Sequence, residues 1–187
     1  DADADTGIPP QIDVQIPYVG DDTCFNGAWI APNLCTSCNT TQDFTGVVED
    51  FQSGSTVPQA DVDFYLTDNP QNSPDISAVS DARAEVEVSL PSCTPFTVKT
   101  STQNGGTIDT YWLHQILPDE TTGSSSLFSV SLTTAQLIPA MLGTQWTPGT
   151  GILTGQAVDC SGNALQNIQV VIVDEDGSIP QQNSFYF

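Results

Sequence analysis

Positive charge is what this sequence most lacks. Arg83 and Lys99 are the only two cationic side chains among 187 residues, against 23 acidic ones, and the formal net charge is −21. Such a chain repels the phosphate backbone of nucleic acids and anionic lipid headgroups, so we expect no nucleic-acid partner and no docking on membrane surfaces. Salt screens this self-repulsion, so adaptation to a high-salt setting is one interpretation; an acidic surface without adaptive meaning is the other.

Long apolar runs are also missing. No stretch approaches the roughly 20 apolar residues that a membrane helix needs, so we expect no integral membrane segment. No signal peptide is visible at Asp1, and any leader would have been removed before it. Hydrophobic residues still make up 38% of the chain, which indicates a packed core rather than disorder. We expect an extracellular or cell-surface protein, tethered through an N-terminal anchor that processing has removed.

Histidine is almost absent, which restricts catalysis. His114 is the sole imidazole, and a Ser-His-Asp triad would have to use it. It lies between Leu113 and Gln115 in an alternating stretch with no visible partner, so we interpret it as structural. The 23 carboxylates are too numerous to single out an acid–base pair. We therefore predict a non-enzyme with no catalytic residues, no cofactor and no metal; the alternative is a metal-dependent hydrolase accessory that uses His114.

The cysteines are few and unevenly spaced: Cys24, Cys35, Cys38, Cys93 and Cys160. The first three fall within fifteen residues, where a disulfide formed in an oxidising compartment would staple a segment without a core of its own. Such a loop closure contributes about 2–4 kcal/mol. A zinc knuckle built on the Cys-x-x-Cys pair, with Cys93 or His114 as distant ligand, is the competing interpretation, but a second pair is missing. The disulfide connectivity stays open.

One segment occurs twice, and it is the clearest motif in the chain. Each copy reads as a strand that opens with Thr-Gly, reaches an aspartate, turns at a glycine and continues as a second strand. The matched residues are Thr45, Gly46, Asp50 and Gly54 in the first copy and Thr154, Gly155, Asp159 and Gly162 in the second. The offset is 109 residues up to the aspartates and 108 from the glycines onward, which indicates one residue deleted in the turn. The repeat predicts two copies of one β-rich unit.

Alternation of polar and apolar residues predicts strands for almost the whole chain. The predicted strands cover residues 44–51, 60–67, 84–90, 96–100, 110–117 and 127–132, and residues 68–75 are predicted as loop. Only 133–142 favours a helix. There Thr133 and Gln136 have the spacing of a capping box, and Gly143 can end the helix. Its apolar stripe consists of Leu137, Ile138, Met141 and Leu142.

These patterns predict a division of the chain into four parts. They are an acidic linker at 1–19, a cysteine-rich loop segment at 20–43, a β-sandwich at 44–148 and a partial second repeat at 149–187. The linker assignment has one competitor, because Asp1, Asp3 and Asp5 are spaced like the start of a calcium loop. Gly7 follows one position too late for that loop, so we prefer the linker.

The repeated Thr-Gly-x-x-x-Asp strand, glycine turn and alternating strand resemble the start of the carboxypeptidase regulatory-like, transthyretin-like β-sandwich. The resemblance covers about 44–100 and 151–187. It implies an all-β, Greek-key sandwich on secreted or cell-surface proteins, here with a second, partial copy and one short helix. The second copy stops at Phe187 after two or three strands, where the family's module has six or seven. Either the chain continues further, or the half-module completes a sheet of the first.

Aromatic rings are candidates for a binding site, although core packing is the preferred interpretation because large aromatic side chains are mostly buried. The candidate sugar-stacking residues are Trp29, Tyr111, Trp112 and Trp146. Tyr111 and Trp112 are adjacent in an alternating strand, so only one of them can enter the core. The expected role is a spacer, adhesion or binding module, or alternatively a carbohydrate-binding module. The expected partners are a cell-envelope protein or glycan, and the open edge of the partial copy favours self-association.

Overall fold

A computed structural model describes residues 40–67, 70, 73–117, 124–147, 149–155, 158–159, 161 and 163–164, without the side chain of His114. The chain divides into two compact units, one with residues 31–152 and the other with 1–30 and 153–187. The predicted linker at 1–19 and most of the predicted cysteine-rich segment lie outside the described residues. The sandwich belongs to the first unit.

Within the described part of 31–152, eight strands precede one helix. They are β1 Thr41–Asp50, β2 Asp61–Tyr65, β3 Ile76–Val79, β4 Glu85–Pro91, β5 Pro95–Ser101, β6 Thr107–Ile108, β7 Thr110–Ile116, β8 Ser125–Ser131 and α1 Leu132–Met141. Each of the six predicted strands is present to within a few residues. The strands β3 and β6 were not predicted, because four and two residues are too few to show a period. No described helix is long and apolar enough to cross a membrane.

The strands form two four-stranded sheets, in the orders β4-β1-β8-β6 and β3-β2-β5-β7. All described pairs are antiparallel except β1 with β8, which run parallel. The chain passes from β6 to β7 through the single residue Asp109 and so changes sheet there. The predicted all-β sandwich with one short helix is confirmed.

The core lies between the inner faces of the two sheets. Phe44 of the first sheet packs edge-on against Phe64 and Phe96 of the second, with ring centroids 5.8 and 6.3 Å apart. The other core residues are Val48, Ala60, Val62, Ala84, Val86, Leu90, Val98, Leu117 and Leu127. Most come from alternate positions of β1, β2, β4, β5 and β8, as a pleated strand requires when one face is buried, and Ala60, Ala84 and Leu117 lie directly next to the ends of β2, β4 and β7.

Two threonine hydroxyls join the second sheet to β8 of the first. Thr100 is buried, and its hydroxyl donates to the carbonyl oxygen of Phe128 at 2.8 Å. The hydroxyl of Thr110 accepts from the backbone N–H of Val130 at 3.1 Å. Both bonds use backbone groups of β8, so they hold the two sheets together along this side of the sandwich and leave these groups satisfied.

The glycine of the first Thr-Gly motif is required by close packing. A Cβ atom on Gly46 would lie 2.7 Å from Cδ1 of Leu127 and 2.9 Å from Cε1 of Phe44. Both atoms belong to buried side chains of the core, so neither can move away freely. No atom of the described residues lies within 4 Å of the same position on the matching Gly155. Among the described residues, the close contact is therefore a property of the first copy.

The two repeated aspartates organise matching turns. The N–H of Asp50 donates to Ser55 O at 2.8 Å, and its carboxylate accepts from the N–H of Ser53 at 2.8 Å. The N–H of Asp159 donates to Asn163 O at 2.8 Å, and its carboxylate accepts from the N–H of Ser161 at 2.9 Å. The second turn is one residue shorter, in agreement with the predicted deletion. Both are turns of the kind in which aspartate side chains bond the backbone that follows.

These hydrogen bonds act on the charge of the first aspartate. Burial would raise the pKa of Asp50, but hydrogen bonds from the N–H and hydroxyl of Ser53 and from the N–H of Gln52 outweigh it. The pKa of Asp50 is therefore lowered, and the carboxylate stays ionised and fixed in the turn.

The helix begins one residue earlier than predicted. Its N-cap is Ser131, whose hydroxyl accepts from the N–H of Thr134, so the predicted capping box of Thr133 and Gln136 is wrong. Ser131 is the N-cap because it is the last residue of β8 and already has the extended backbone that an N-cap needs. The backbone of Gly143 has φ +75° and ends the helix in a left-handed turn, as predicted.

We predict that Gly46→Ala destabilises the sandwich by about 1–3 kcal/mol, because the added methyl group overpacks the core against Leu127 and Phe44. Gly155→Ala is the matched control, since it makes the same change at the equivalent residue of the repeat, where no atom of the described residues lies within 4 Å, and it should alter stability less. Urea unfolding of both variants measures the difference. Equal stability of Gly46→Ala and the wild type would contradict this account of the motif.

Candidate functional site

The outer face of the β3-β2-β5-β7 sheet carries the described polar cluster of most interest. Strand register places Ser77, Asp63, Lys99 and Tyr111 in one row across the four strands. Their inward-facing neighbours Val62, Phe64 and Val98 fill the core, so the residues of the row face outward. The hydroxyl of Ser77 donates to the carboxylate of Asp63 at 2.6 Å.

Lys99, the only lysine of the chain, is the centre of this row. Its Nζ lies 2.9 Å from Oδ2 of Asp109 and 5.9 Å from the ring centre of Tyr111. The lysine side chain is 20% exposed and the aspartate 56%. The hydrogen bond with Asp109 raises the pKa of Lys99, and burial, which acts in the opposite direction, does not cancel it. A lysine held protonated in this way cannot act as a nucleophile or general base at neutral pH.

Tyr65 borders the row and is buried. Burial raises the pKa of its hydroxyl, and the negative charge of Asp63 adds to the effect. The phenol therefore keeps its proton near neutral pH. Like Lys99, it is held in its proton-bearing form, in which it is a hydrogen-bond donor and not a base or nucleophile.

A shallow groove of about 350 Å³ runs beside the row. It is lined by Asp61, Asp63, Ser77, Ala78, Val79 and Ser101. Its two carboxylates are engaged, since Asp63 accepts from Ser77 and Asp61 accepts from the amide of Gln103 at 3.2 Å. No group of three or more metal-ligating side chains occurs among the described residues.

The structure describes three of the four predicted stacking residues and places two of them, Tyr111 and Trp112, on opposite faces of their sheet. Tyr111 is 42% exposed on the outer face of its sheet. Trp112 turns inward and packs on Phe128, with ring centroids 5.2 Å apart. The indole N–H of Trp146 donates to the carbonyl oxygen of Thr150 at 3.1 Å. Trp29 lies outside the described residues, so Tyr111 is the described member available to a flat ligand.

Of the predicted histidine and cysteine candidates, the structure describes the backbone of His114 and the position of Cys93. His114 belongs to β7, at the point where its pairing with β5 shifts register. Cys93 is half-buried in the turn before β5, and its N–H donates to the carbonyl oxygen of Leu117 at 2.9 Å. Cys24, Cys35, Cys38 and Cys160 lie outside the described residues, so the disulfide staple and the zinc alternative stay predictions. The predicted edge-strand association also stays a prediction, because it involves the second copy, of which few residues are described.

Sequence reasoning missed the row around Lys99. Asp63, Lys99 and Tyr111 each occupy a polar or amphipathic position of a predicted strand, and that much is visible in the alternation. Their assembly depends on which strands are neighbours and in what register, which alternation does not encode. One signal in the sequence pointed to it: Lys99 is one of only two cations in a chain of charge −21 and is expected to attract carboxylates.

Comparison with known proteins gives a weak likeness to two solved structures. No family model and no curated protein matches the chain. The TIE protein of Bacillus anthracis is 16% identical over 50% of this chain and 18% of its own, with a TM-score of 0.39. The E269A mutant of the shaft pilin spaA from Lactobacillus rhamnosus GG is 14% identical over 49% of this chain and 46% of its own, with a TM-score of 0.33. The chain thus spans less than half the length of either structure, and a likeness of this size assigns no function.

We predict a small, pH-dependent contribution from the pair of Lys99 and Asp109. Asp109→Asn should lower the free energy of unfolding by less than about 1 kcal/mol at pH 7, because the carboxylate is more than half exposed. Folding raises the pKa of Lys99, so the contribution is complete below the ordinary lysine value of about 10.4 and is lost as the pH rises through the higher folded value. Urea unfolding of both proteins from pH 7 upward measures this.

Glu87→Gln is the control for the change in net charge, since Glu87 is an exposed carboxylate on the other sheet. The difference in free energy of unfolding between Glu87→Gln and the wild type should stay the same as Lys99 loses its proton. If the effect of Asp109→Asn stayed constant after Lys99 had lost its proton, the ion pair would not be its cause.

Proposed function

We propose that the chain is a non-enzymatic, extracellular or cell-surface module that acts as a spacer, adhesion or binding unit. The observation that carries the proposal is how the reactive side chains of the sandwich are used. Lys99 is held protonated by Asp109, and Tyr65 is held neutral by burial. The carboxylates of Asp50 and Asp81 accept backbone hydrogen bonds within turns. These groups support the fold rather than a reaction.

The transthyretin-like assignment and the surface location belong to the same proposal. They are supported by the repeated Thr-Gly-x-x-x-Asp turn and by the acidic composition, which suits a protein exposed to solvent on all sides. A cell-envelope protein or glycan is the expected partner, and nucleic acid is not.

The competing hydrolase function depends on His114, so that residue provides the test. We expect the purified chain, with or without added zinc, to hydrolyse ester, phosphoester and glycoside substrates no faster than His114→Ala does, because the described serine hydroxyls that meet a base, such as Ser77 beside Asp63, meet a carboxylate and not an imidazole. Gln115→Ala is the control for damage to β7. Turnover that survives in Gln115→Ala and disappears in His114→Ala would establish an enzyme instead.

A second candidate function, glycan binding, is favoured by the exposed ring of Tyr111. The ring lies on the outer face of its sheet beside Lys99, which is paired with Asp109, and Asp63 follows in the same row on the next strand but one; these groups can donate hydrogen bonds to sugar hydroxyls and accept hydrogen bonds from them. A sugar's apolar face stacks on such a ring while its hydroxyls reach the surrounding charges. This arrangement suits a neutral or amino sugar better than an acidic one, because carboxylates outnumber Lys99 around the ring.

We expect soluble neutral polysaccharides to retard the protein in affinity electrophoresis and Tyr111→Ala to weaken the retardation about ten-fold, the value of one lost stacking contact. Leu113→Ala is the matched control, since Leu113 is 41% exposed on the same strand, and it should bind as the wild type does. Equal weakening by both variants would indicate a general effect on β7. If none of the polysaccharides retarded the protein, the glycan-binding function would be contradicted and the spacer function would remain.

A further inference from the structure

The turn that links β5 to β6 contains the pair Asn104-Gly105. Residues 103–106 of this turn are exposed, and Gly105 has φ +68°, in the left-handed region that favours glycine. The N–H of Gly105 donates to the carbonyl oxygen of Thr102 at 3.1 Å. Asn-Gly is a frequent pair in tight turns between strands, so turn formation accounts for both residues. The position of the asparagine side chain adds a chemical consequence.

The side chain of Asn104 folds back onto the backbone that follows it. Its Oδ1 accepts from the N–H of Gly106 at 2.9 Å. A Cβ atom placed on Gly106 would lie 3.0 Å from that Oδ1 and 3.8 Å from Cγ, so the side-chain amide is close to the turn. Asparagine side chains commonly bond the backbone two residues on. The ring that this hydrogen bond closes contains both Cγ of Asn104 and the backbone nitrogen of Gly105.

We propose that Asn104 is a site of spontaneous deamidation in the folded protein. The nitrogen of Gly105 gives its proton to hydroxide or a buffer base and attacks Cγ of Asn104, so a new N–C bond forms. The Cγ–Nδ2 bond then breaks, and Nδ2 takes up a proton and leaves as ammonia. Water opens the resulting succinimide at either carbonyl group, which gives aspartate or isoaspartate. The net reaction consumes water and releases ammonia, and nothing is oxidised or reduced.

Two features of the turn favour this reaction. Negative charge develops on Oδ1 of Asn104 in the tetrahedral intermediate, and the N–H of Gly106 already donates to that atom at the distance of an oxyanion-stabilising donor. Gly105 has no Cβ atom to hinder its own nitrogen. The hydrogen bond from Gly105 to Thr102 has to open, but this turn is exposed and water replaces that bond at a small net cost.

Asn163 is the matched internal control. It is also exposed and also lies in a turn, but its Nδ2 donates to both carboxylate oxygens of Asp159, at 3.1 and 3.3 Å. The nitrogen that would have to leave is therefore held by a carboxylate. The residue that follows is Ala164, whose Cβ atom hinders the attacking nitrogen. We expect Asn163 to react far more slowly than Asn104.

The isoaspartate product would change the path of the turn. In isoaspartate the main chain runs through Cβ and Cγ, which lengthens the turn by one backbone atom. The turn is closed by the hydroxyls of Thr102 and Thr107, 3.0 Å apart, and by the carbonyl oxygen of Gly106, which accepts from the N–H of Leu132 at 3.2 Å. The extra atom has to be absorbed at these closures, so we expect the isoaspartate form to be less stable than the aspartate form.

The test is peptide mapping by mass spectrometry after incubation of the full chain at pH 7 and pH 8. We expect the peptide with Asn104 to gain the mass difference between an amide and a carboxyl group, and the peptide with Asn163 to stay unchanged. The rate should rise about ten-fold per pH unit, because it follows the deprotonated fraction of the attacking nitrogen. Gly105→Ala should slow the reaction at Asn104 about ten-fold or more, because the added Cβ atom displaces and hinders that nitrogen. The second Asn-Gly pair, Asn26-Gly27, lies outside the described residues and is measured on its own peptide.

Asn104→Asp is the reference for the product with a normal backbone. Ion exchange separates the reacted chains, since each carries one additional negative charge. The isoaspartate fraction should unfold at a lower urea concentration than Asn104→Asp does. Equal urea midpoints would overturn the expected effect on the turn.

Three outcomes would overturn the proposed site itself. Asn104 could stay intact at both pH values, Asn163 could react as fast as Asn104, or Gly105→Ala could react at the wild-type rate. Circular dichroism verifies that Gly105→Ala is folded, and the comparison of Asn104 with Asn163 in the wild type decides the matter if it is not. The result is independent of whether Tyr111 binds glycans.

Discussion

The packing of Phe44 against Phe64 and Phe96 is the contact on which the rest of the sandwich depends. These three rings bridge the two sheets edge to face, at centroid distances of 5.8 and 6.3 Å, and so set the spacing between the sheets. On the inner face of the first sheet, Phe44 and Leu127 of the neighbouring strand β8 fill the space over β1, so Gly46 has no room for a side chain. The hydroxyl of Thr100 also reaches the backbone of β8 at 2.8 Å.

The same packing decides what the outer face presents. Because Val62, Phe64 and Val98 must point inward, Asp63 and Lys99 must point outward, and the register of β2, β5 and β7 places them beside Tyr111. Lys99 is the single lysine in a strongly acidic chain, and it forms an ion pair with the carboxylate of Asp109. The resulting ion pair is a consequence of the core. It fixes the surroundings of the exposed ring rather than supplying chemistry.

Much of the fold could be predicted from alternation and turn residues, but pairing could not. The period of two locates β1, β2 and β7 because each has one buried face, whereas β3 and β6 are too short to show it. The parallel contact of β1 with β8 joins strands far apart in sequence, and nothing in either strand specifies its partner. The candidate site depends on such pairing, so only its individual residues could be anticipated. The apolar stripe of α1 was visible, but its exposure depends on Thr134, Ala135 and Pro139 filling the contact instead.

The repeated motif shows how far a local pattern can be extended. Asp50 and Asp159 make the same turn hydrogen bonds, because those bonds need only a few consecutive residues and a backbone free to curl around a carboxylate. Gly46 is packed against Leu127 and Phe44, whereas no atom of the described residues lies within 4 Å of a Cβ on Gly155, because packing depends on what the rest of the chain places above each glycine. A motif of this kind encodes a turn, and turns recur on surfaces with unrelated functions. Function here must therefore be sought where the chain departs from its own pattern, as at the exposed ring of Tyr111 beside its one lysine.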